Sequence, residues 1–305
     1  MTDPRVKERM PSKKKDQAPR KPKKTSTPKA PAESSPQQPD ASNAEALRKL
    51  YVSLLRCRMV QERVRQVSPD DTTGGRYDLA IGREAVVAGA SADLGEGDTA
   101  AVSPRNLAAV IARGLPLSAL CTSGNSWLSF AGVIATEDPF NWGTGIALAH
   151  KLESKRHVVV ALAVQPTPPL HAWHDALKFA GVHKLPIVYI IENGVATEAP
   201  TYHDSPHLEA VSFMARDYGF PGIIVDGDDA VAVWRVAQEG IHRARNGGGP
   251  TLVDCRTDAG RDPLPYMEHY LKKRAAWDEA WHRRVRSEIS AALDEALEGS
   301  LPATR

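Results

Sequence analysis

His157-Val158-Val159-Val160-Ala161-Leu162-Ala163-Val164 runs straight into Gln165-Pro166-Thr167-Pro168-Pro169, and this junction decides the fold. An apolar run of this length without polar alternation reads as a strand buried on both faces, the usual position in a parallel sheet. A helical stretch follows over 170–182, where Trp173, Ala176, Leu177 and Ala180 recur at three- and four-residue steps on one face. Lys184-Leu185-Pro186 breaks that helix, and 187–191 forms a second apolar strand ending in Glu192-Asn193-Gly194. Strand, helix and strand in under about 40 residues make a right-handed crossover unit. The predicted class is therefore α/β, a parallel sheet flanked by helices. Ligands of such sheets bind beyond the carboxyl ends of the strands. That rule directs attention to 165–169 and 192–196.

Working outward, the 305 residues leave room for one large α/β domain and a tail. The formal charge of +2 is unevenly spread, because residues 1–45 hold 11 Lys and Arg against 6 Asp and Glu. Residues 1–44 are rich in Lys, Pro, Ser and Gln and cannot bury enough surface to offset their ordering entropy, so a disordered basic tail is expected there. Lys13-Lys14-Lys15 and Lys21-Pro22-Lys23-Lys24 can touch nucleic acid or an acidic partner, but a solvated basic tail is the simpler reading and a nucleic-acid partner is not expected. The tail lacks the apolar core of a secretory signal. No stretch is long enough to span a membrane, and no membrane partner is expected. Cys57, Cys121 and Cys255 are odd in number and far apart, which fits reduced thiols and a cytoplasmic location.

The domain is expected over 45–299. Ser42-Asn43-Ala44-Glu45 has the form of a capping box, with a helix to about Val67 striped by Leu47, Leu50, Tyr51, Leu54, Leu55, Met59 and Val64. A second helix is expected to open within Leu79-Ala80-Ile81-Gly82-Arg83-Glu84-Ala85 and run to about Leu94. Ser205 and Pro206 suit the start of a further helix, lined by Leu208, Val211, Ala215 and Tyr218 and ended by Gly219. Asp226-Gly227-Asp228-Asp229 is read as a capped strand-to-helix turn before a helix over 230–245, with a strand beginning near Thr251. C-terminal helices are expected within 266–298, with Trp281, Val285, Ile289 and Leu293 on one stripe.

Several of these segments resemble the alpha chain of the decarboxylating component of 2-oxo acid dehydrogenase complexes, of pyruvate or branched-chain type. The likeness lies in Val158-Val159-Val160-Ala161, in His174-Asp175-Ala176-Leu177-Lys178-Phe179-Ala180, in Lys184-Leu185-Pro186 with Glu192-Asn193, and in 218–227. It extends over roughly 45–298 and implies a thiamine-diphosphate-binding fold with C-terminal helices. It also implies thiamine diphosphate and magnesium as cofactors and a beta-type subunit as partner. In the family the first strand ends in Gly-Asp-Gly and the second in an Asn pair, and the Asp and second Asn hold the magnesium ion. Counted without gaps, these fall on Val164-Gln165-Pro166 and on Asn193-Gly194, so neither side-chain ligand is present. The family's Gly-Gln-Glu-Ala carries Arg83 in place of Gln. Its Tyr-Arg-Asp-His becomes Pro104-Arg105-Asn106-Leu107, which keeps only Arg105 of the diphosphate contacts. The glycine-rich loop is shortened before Asn141, with Trp127, Phe130, Phe140 and Trp142 in its place. The loop over 256–261 is too short for the family's arginine-rich segment and has no His.

Magnesium wants anionic oxygen in tight octahedral geometry, and Gln165 offers one neutral carbonyl while Gly194 offers no side chain. Pro166, Pro168 and Pro169 remove amide donors from a helix start that would otherwise cradle a phosphate. The residues thus predict weak or absent thiamine diphosphate and magnesium. Any vestigial cofactor contacts fall on Arg105, Gln165, Pro166, Asn193, Gly194 and Ala196. No catalytic residue or metal ligand is assigned. His171 and His174, with His203, Asp204 and His207 downstream, have zinc-compatible spacings, but solvated or hydrogen-bonded histidines are the expectation. Two functions follow. One is a non-catalytic structural or regulatory partner of a beta-type chain or of itself. The other is an active alpha subunit in oxidative decarboxylation of a 2-oxo acid.

Overall fold

The computed structural model describes residues 41–67, 79–114, 116, 132–164, 170–194 and 210–298. The chain divides into two units, Met1–Gln37 and Gln38–Arg305, and the described residues all belong to the second. The tail predicted to be disordered, the aromatic residues Trp127 and Phe130, and the start proposed for a helix at Ser205 and Pro206 lie outside them.

The apolar run 157–164 becomes β3 (Val159–Val164), paired in parallel with β4 (Ile187–Gly194) from Val159 opposite Ile187 to Val164 opposite Glu192. Around this pair the sheet extends to six parallel strands in the order β2-β1-β3-β4-β6-β5. The others are β1 (Thr99–Val102), β2 (Val133–Ala135), β5 (Gly222–Asp226) and β6 (Thr251–Thr257). Side chains of β3 alternate between two apolar layers. Val160 and Leu162 meet one core, and Val159, Ala161 and Ala163 meet the other.

The first layer contains α1 (Ala41–Val67), α2 (Glu84–Ser91), α3 (Leu107–Ala112), α7 (Ala230–Arg245), α8 (Pro263–Lys273) and α9 (Glu279–Glu298). The second contains α4 (Pro139–Leu152), α5 (Leu170–Val182) and α6 (Ala210–Asp217). The predicted stripe of α5 is the buried one: Trp173, Ala176, Leu177 and Ala180 are all at most 3 % exposed. Phe140 packs on Trp173 and Tyr189 with ring centroids 4.6 and 4.8 Å apart, and the hydroxyls of Tyr189 and Thr144 lie 2.6 Å apart. Those contacts tie α4 and α5 to the sheet through a buried polar link. Cys57 and Cys255 are buried, and burial pushes both thiols well above their usual range.

Several element ends differ from expectation. Helix α1 already includes Ala41 and Ser42, so Ser42 is not its N-cap. Helix α2 starts only at Glu84 and ends at Ser91, because Ala80 to Arg83 forms a hydrogen-bonded turn with Gly82 at φ +89°. The capped turn after β5 is as expected: Asp229 Oδ1 accepts from the amides of Val231 and Ala232. The C-terminal helices begin earlier than 266, at Pro263, with Asp262 as N-cap.

Gly89 shows how closely α2 and α7 approach. A Cβ placed there would lie 2.8 Å from the Val233 side chain and 2.9 Å from the Trp234 amide nitrogen. Gly89→Ala should therefore destabilise the domain by about 2–3 kcal/mol through overpacking, despite the better helix propensity of Ala. Urea unfolding followed by far-UV circular dichroism measures this, and an unchanged or higher midpoint would contradict the packing described.

Candidate functional site

Strand order reverses between β1 and β3. From the tip of β1 the chain enters α3 in the first layer, whereas beyond β3 it enters α5 in the second. Neighbouring strands whose connections diverge to opposite faces leave a crevice at their carboxyl ends, the standard ligand position in open α/β sheets. Arg105 lies on the β1 side of that crevice and is exposed, with its backbone amide donating to Ser103 Oγ at 3.3 Å. Asn106 caps α3, its Oδ1 accepting from the Ala109 amide at 3.0 Å. Leu107 is fully buried in the first core, so the position aligned with the family's His is a packing residue.

Asn193 and Gly194 stand at the tip of β4, opposite Arg256 and Thr257 of β6. The Asn193 amide donates to Asp254 Oδ1 at 3.2 Å, and Asp254 Oδ2 faces Arg256 Nε at 3.5 Å. Burial raises the Asp254 carboxyl above its usual range, and the Asn193 and Arg256 contacts only partly oppose that. At Gly194 an added Cβ would come within 3.2 Å of Thr257 Oγ1, so a longer side chain needs that hydroxyl to give way. Glu192 points to the other layer, buried with a side chain 1 % exposed, and forms an ion pair with Arg83. Gln165, Pro166 and Ala196 lie outside the described residues, as do His203, Asp204 and His207. Sequence reasoning thus named three positions that the structure places at strand tips, Arg105, Asn193 and Gly194.

Arg83 is held by a network that sequence reasoning missed. Arg58 donates through Nε and Nη2 to Glu84 at 2.5 and 3.0 Å, and through Nη2 and Nη1 to Asp262 at 2.9 and 3.1 Å. Glu84 is fully buried and also accepts from the Gly82 amide at 3.0 Å, which fixes the turn carrying Arg83. Gln61 adds a second tie by accepting the Ala80 amide at 2.6 Å. The signals available were polar or charged residues at buried parities: Arg58 and Gln61 among the apolar positions of α1, Glu192 in step with Val188 and Ile190, and Asp254 within β6.

The turn after β6 is also self-paired. Arg261 Nη1 donates to both oxygens of Asp226, at 3.0 and 2.8 Å, and lies 3.6 Å from Asp228, whose Oδ2 accepts the Asp258 amide. His174 Nδ1 and Tyr218 Oη are hydrogen-bonded at 2.5 Å, and no cluster of three or more metal-ligating side chains occurs among the described residues. Of the aromatics expected to cluster before α4, Phe140 is core, whereas Trp142 is exposed.

The donor set at the described tips does not fit magnesium and a diphosphate. Glu192, Asp254, Asp226 and Asp228 are each engaged with an arginine, and the Asn193 amide is engaged with Asp254. A hard cation needs anionic oxygens free to converge on it.

A crevice at the carboxyl edge of a parallel sheet covered on both faces defines only a class of α/β domain, and the comparisons with known proteins narrow it. Residues 119–258 match the family model described as "Dehydrogenase E1 component". The chain is 29 % identical over 227 residues to the alpha subunit of acetoin:2,6-dichlorophenolindophenol oxidoreductase from Bacillus subtilis (strain 168), covering 68 % of each chain. It is 29 % identical over 177 residues to the 2-oxoisovalerate dehydrogenase alpha subunit of the same organism, covering 50 % of this chain and 54 % of that one. It is 28 % identical over 263 residues to the 3-methyl-2-oxobutanoate dehydrogenase alpha subunit of Mycobacterium tuberculosis (strain ATCC 25618 / H37Rv), covering 72 % and 71 %. Over part of its length the chain is thus similar to the dehydrogenase E1 component, and the relatives named here are alpha subunits.

Two outcomes test this arrangement. Arg58→Met should cost about 3–5 kcal/mol in chemical denaturation, because it strips the buried Glu84 carboxylate of its cation; a loss below about 1 kcal/mol would mean that the network carries no weight. Asp254→Asn should raise the unfolding midpoint at pH 7. A raised folded pKa means that ionisation costs more in the folded than in the unfolded state, so the variant's advantage grows as pH rises through that pKa and fades towards pH 4. A midpoint difference that stays flat between pH 4 and 7 would contradict it.

Proposed function

We propose that this E1 alpha-like chain holds thiamine diphosphate and magnesium weakly or not at all and serves as a structural or regulatory partner of a beta-type chain or of a second copy of itself. The observation that carries this reading is the commitment of the strand-tip groups to one another. Asn193 donates to Asp254, and Glu192 is paired with Arg83, so the tip of β4 turns its polar groups inward. Gln165 and Gly194, where the resemblance expects charged and amide ligands, add no anionic oxygen. The basic tail over 1–44 then acts as a solvated arm, and cysteine usage favours the cytoplasm.

The second reading is an active alpha subunit that oxidatively decarboxylates a 2-oxo acid together with a beta subunit. Arg105, exposed at the crevice between β1 and β3, favours it as an anion contact. In that case Arg105, Gln165, Asn193 and the backbone around Ala196 are the contacts to the coenzyme. Among the relatives, one is named for acetoin and two for branched 2-oxo acids, so kinship alone selects no substrate.

Isothermal titration of the full chain with thiamine diphosphate and magnesium, alone and with a beta-type chain, decides between the two. The proposed function expects no saturable heat in either case. Saturable binding in the micromolar range, or turnover of pyruvate or a branched-chain 2-oxo acid, overturns it in favour of the active subunit.

A further inference from the structure

At the amino ends of the strands, opposite the tips described above, two histidines meet. His150 lies in the last turn of α4 and His157 just ahead of β3, both partly buried, with ring centroids 5.3 Å apart and planes at 83°. The turn between them folds back on the helix, the Glu153 amide donating to the Ala149 carbonyl and the Lys155 amide to the His150 carbonyl, both at 2.9 Å. An edge-to-face contact suits two neutral rings, or one neutral and one charged. Two charged rings at this distance repel.

Both rings border the register of β1 and β3. The His157 ring lies over Gly97, where φ is +83° and an added Cβ would stand 2.8 Å or closer to three of its atoms. The next residue, Val158, donates its amide to Asp98 Oδ1 at 2.8 Å, and its carbonyl accepts the Thr99 amide at 2.9 Å. Those two bonds open the β1–β3 pairing. His150 Nε2 meets the Thr99 hydroxyl at 3.5 Å.

The surrounding charges leave little room for a second proton. On the turn, Glu153 pairs with Lys155 at 2.6 Å, and Arg156 donates to Asn246. On α4, Lys151 donates to the His183 carbonyl. Ahead of β1, buried Asp98 is paired at 2.7 Å with Arg245 of α7, Arg113 donates to the Leu94 carbonyl, and Glu96 beside Gly97 is exposed. Glu153 and Asp98 thus already hold a cation each, and Glu96 is open to water. The negative end of α4 favours one proton on the pair. Burial, then the charges of His157 and Lys155, hold the His150 imidazole below its usual range, and Glu153 and Asp98 only partly oppose this.

We propose that the His150–His157 pair is an acid-operated latch, in which one proton is tolerated and a second drives His157 off Gly97 and frees the amides that begin the β1–β3 pairing. Because the unfolded chain takes up that second proton more readily, the latch contributes its full stability above about pH 6.5, the ordinary histidine value, and loses it as pH falls further. The pair stands at the other end of the strands from the coenzyme crevice, so the inference goes beyond the proposed function and does not depend on it.

Amide hydrogen exchange of the full chain at about pH 7.5 and about pH 5.5, corrected for the intrinsic pH dependence of exchange, tests it. Thr99 and Val158 should lose protection at least about ten-fold at the lower pH, and in His150→Gln they should not. Titration of the ring protons by nuclear magnetic resonance adds a readout that a merely structural role would not move. The His150 midpoint should rise by about half a pH unit or more in His157→Gln, because a like charge is removed. Equal protection of the unsubstituted chain at both pH values overturns the inference. So does an equal loss in His150→Gln, or a His150 midpoint indifferent to His157.

Discussion

Every part of this domain depends on β3 and β4 lying in register with both of their faces covered. The six paired positions from Val159 to Val164 send alternate side chains into two separate cores, so a slip of one residue would exchange the contents of both. Neither layer has slack to absorb that. One core accommodates Trp173, Phe140 and Tyr189 around the small residues Ala161 and Ala163, and the other sets Val160 and Leu162 under the helices of the first layer. The register also fixes which residues reach the strand ends, and so places Glu192 on one side of the sheet and Asn193 on the other.

At the carboxyl edge the described carboxylates are met by groups of the same chain. Buried carboxylates are tolerated only when cations or amides meet them. Here Arg58 serves Glu84, Arg83 serves Glu192 and Arg256 faces Asp254, while at the exposed margin Arg261 grips Asp226. Each pairing is a local solution that asks nothing of an external cation. Together they join α1, the turn before α2, the tips of β4 and β6, and the start of α8, which makes the edge a structural seam.

Much of the architecture was legible because buried strands and amphipathic helices write their periodicity directly. The unbroken run before Gln165 marks a strand buried on both faces, and the three-and-four spacing of Trp173, Ala176, Leu177 and Ala180 marks the buried side of a helix. Helix ends were less legible. Ser42 looks like a cap in isolation, yet α1 already includes it, since local hydrogen-bonding preference is weaker than the packing of Leu47, Leu50 and Tyr51 that extends the helix. The turn at Gly82 was hidden because its stability comes from Gln61 and Glu84, residues distant from it in sequence or facing inward. The tip of β4 follows from the apolar run that ends at Glu192-Asn193-Gly194, whereas the partners at that tip, Arg83 and Asp254, could not be named without knowing which strands are neighbours. Spacing reveals faces; it does not reveal who stands across the sheet.

The two buried thiols have a practical consequence. Cys57 sits inside α1 against the Ala108 carbonyl, and Cys255 lies in β6 between neighbouring strands, so a reagent reaches either sulfur only when its surroundings open. Their raised ionisation adds a chemical barrier to the steric one, since the thiolate is the reactive form. With Cys121 replaced, the alkylation rate at each site becomes a clock for a different breathing motion, one lifting α1 from its neighbouring helices and the other parting the strands themselves.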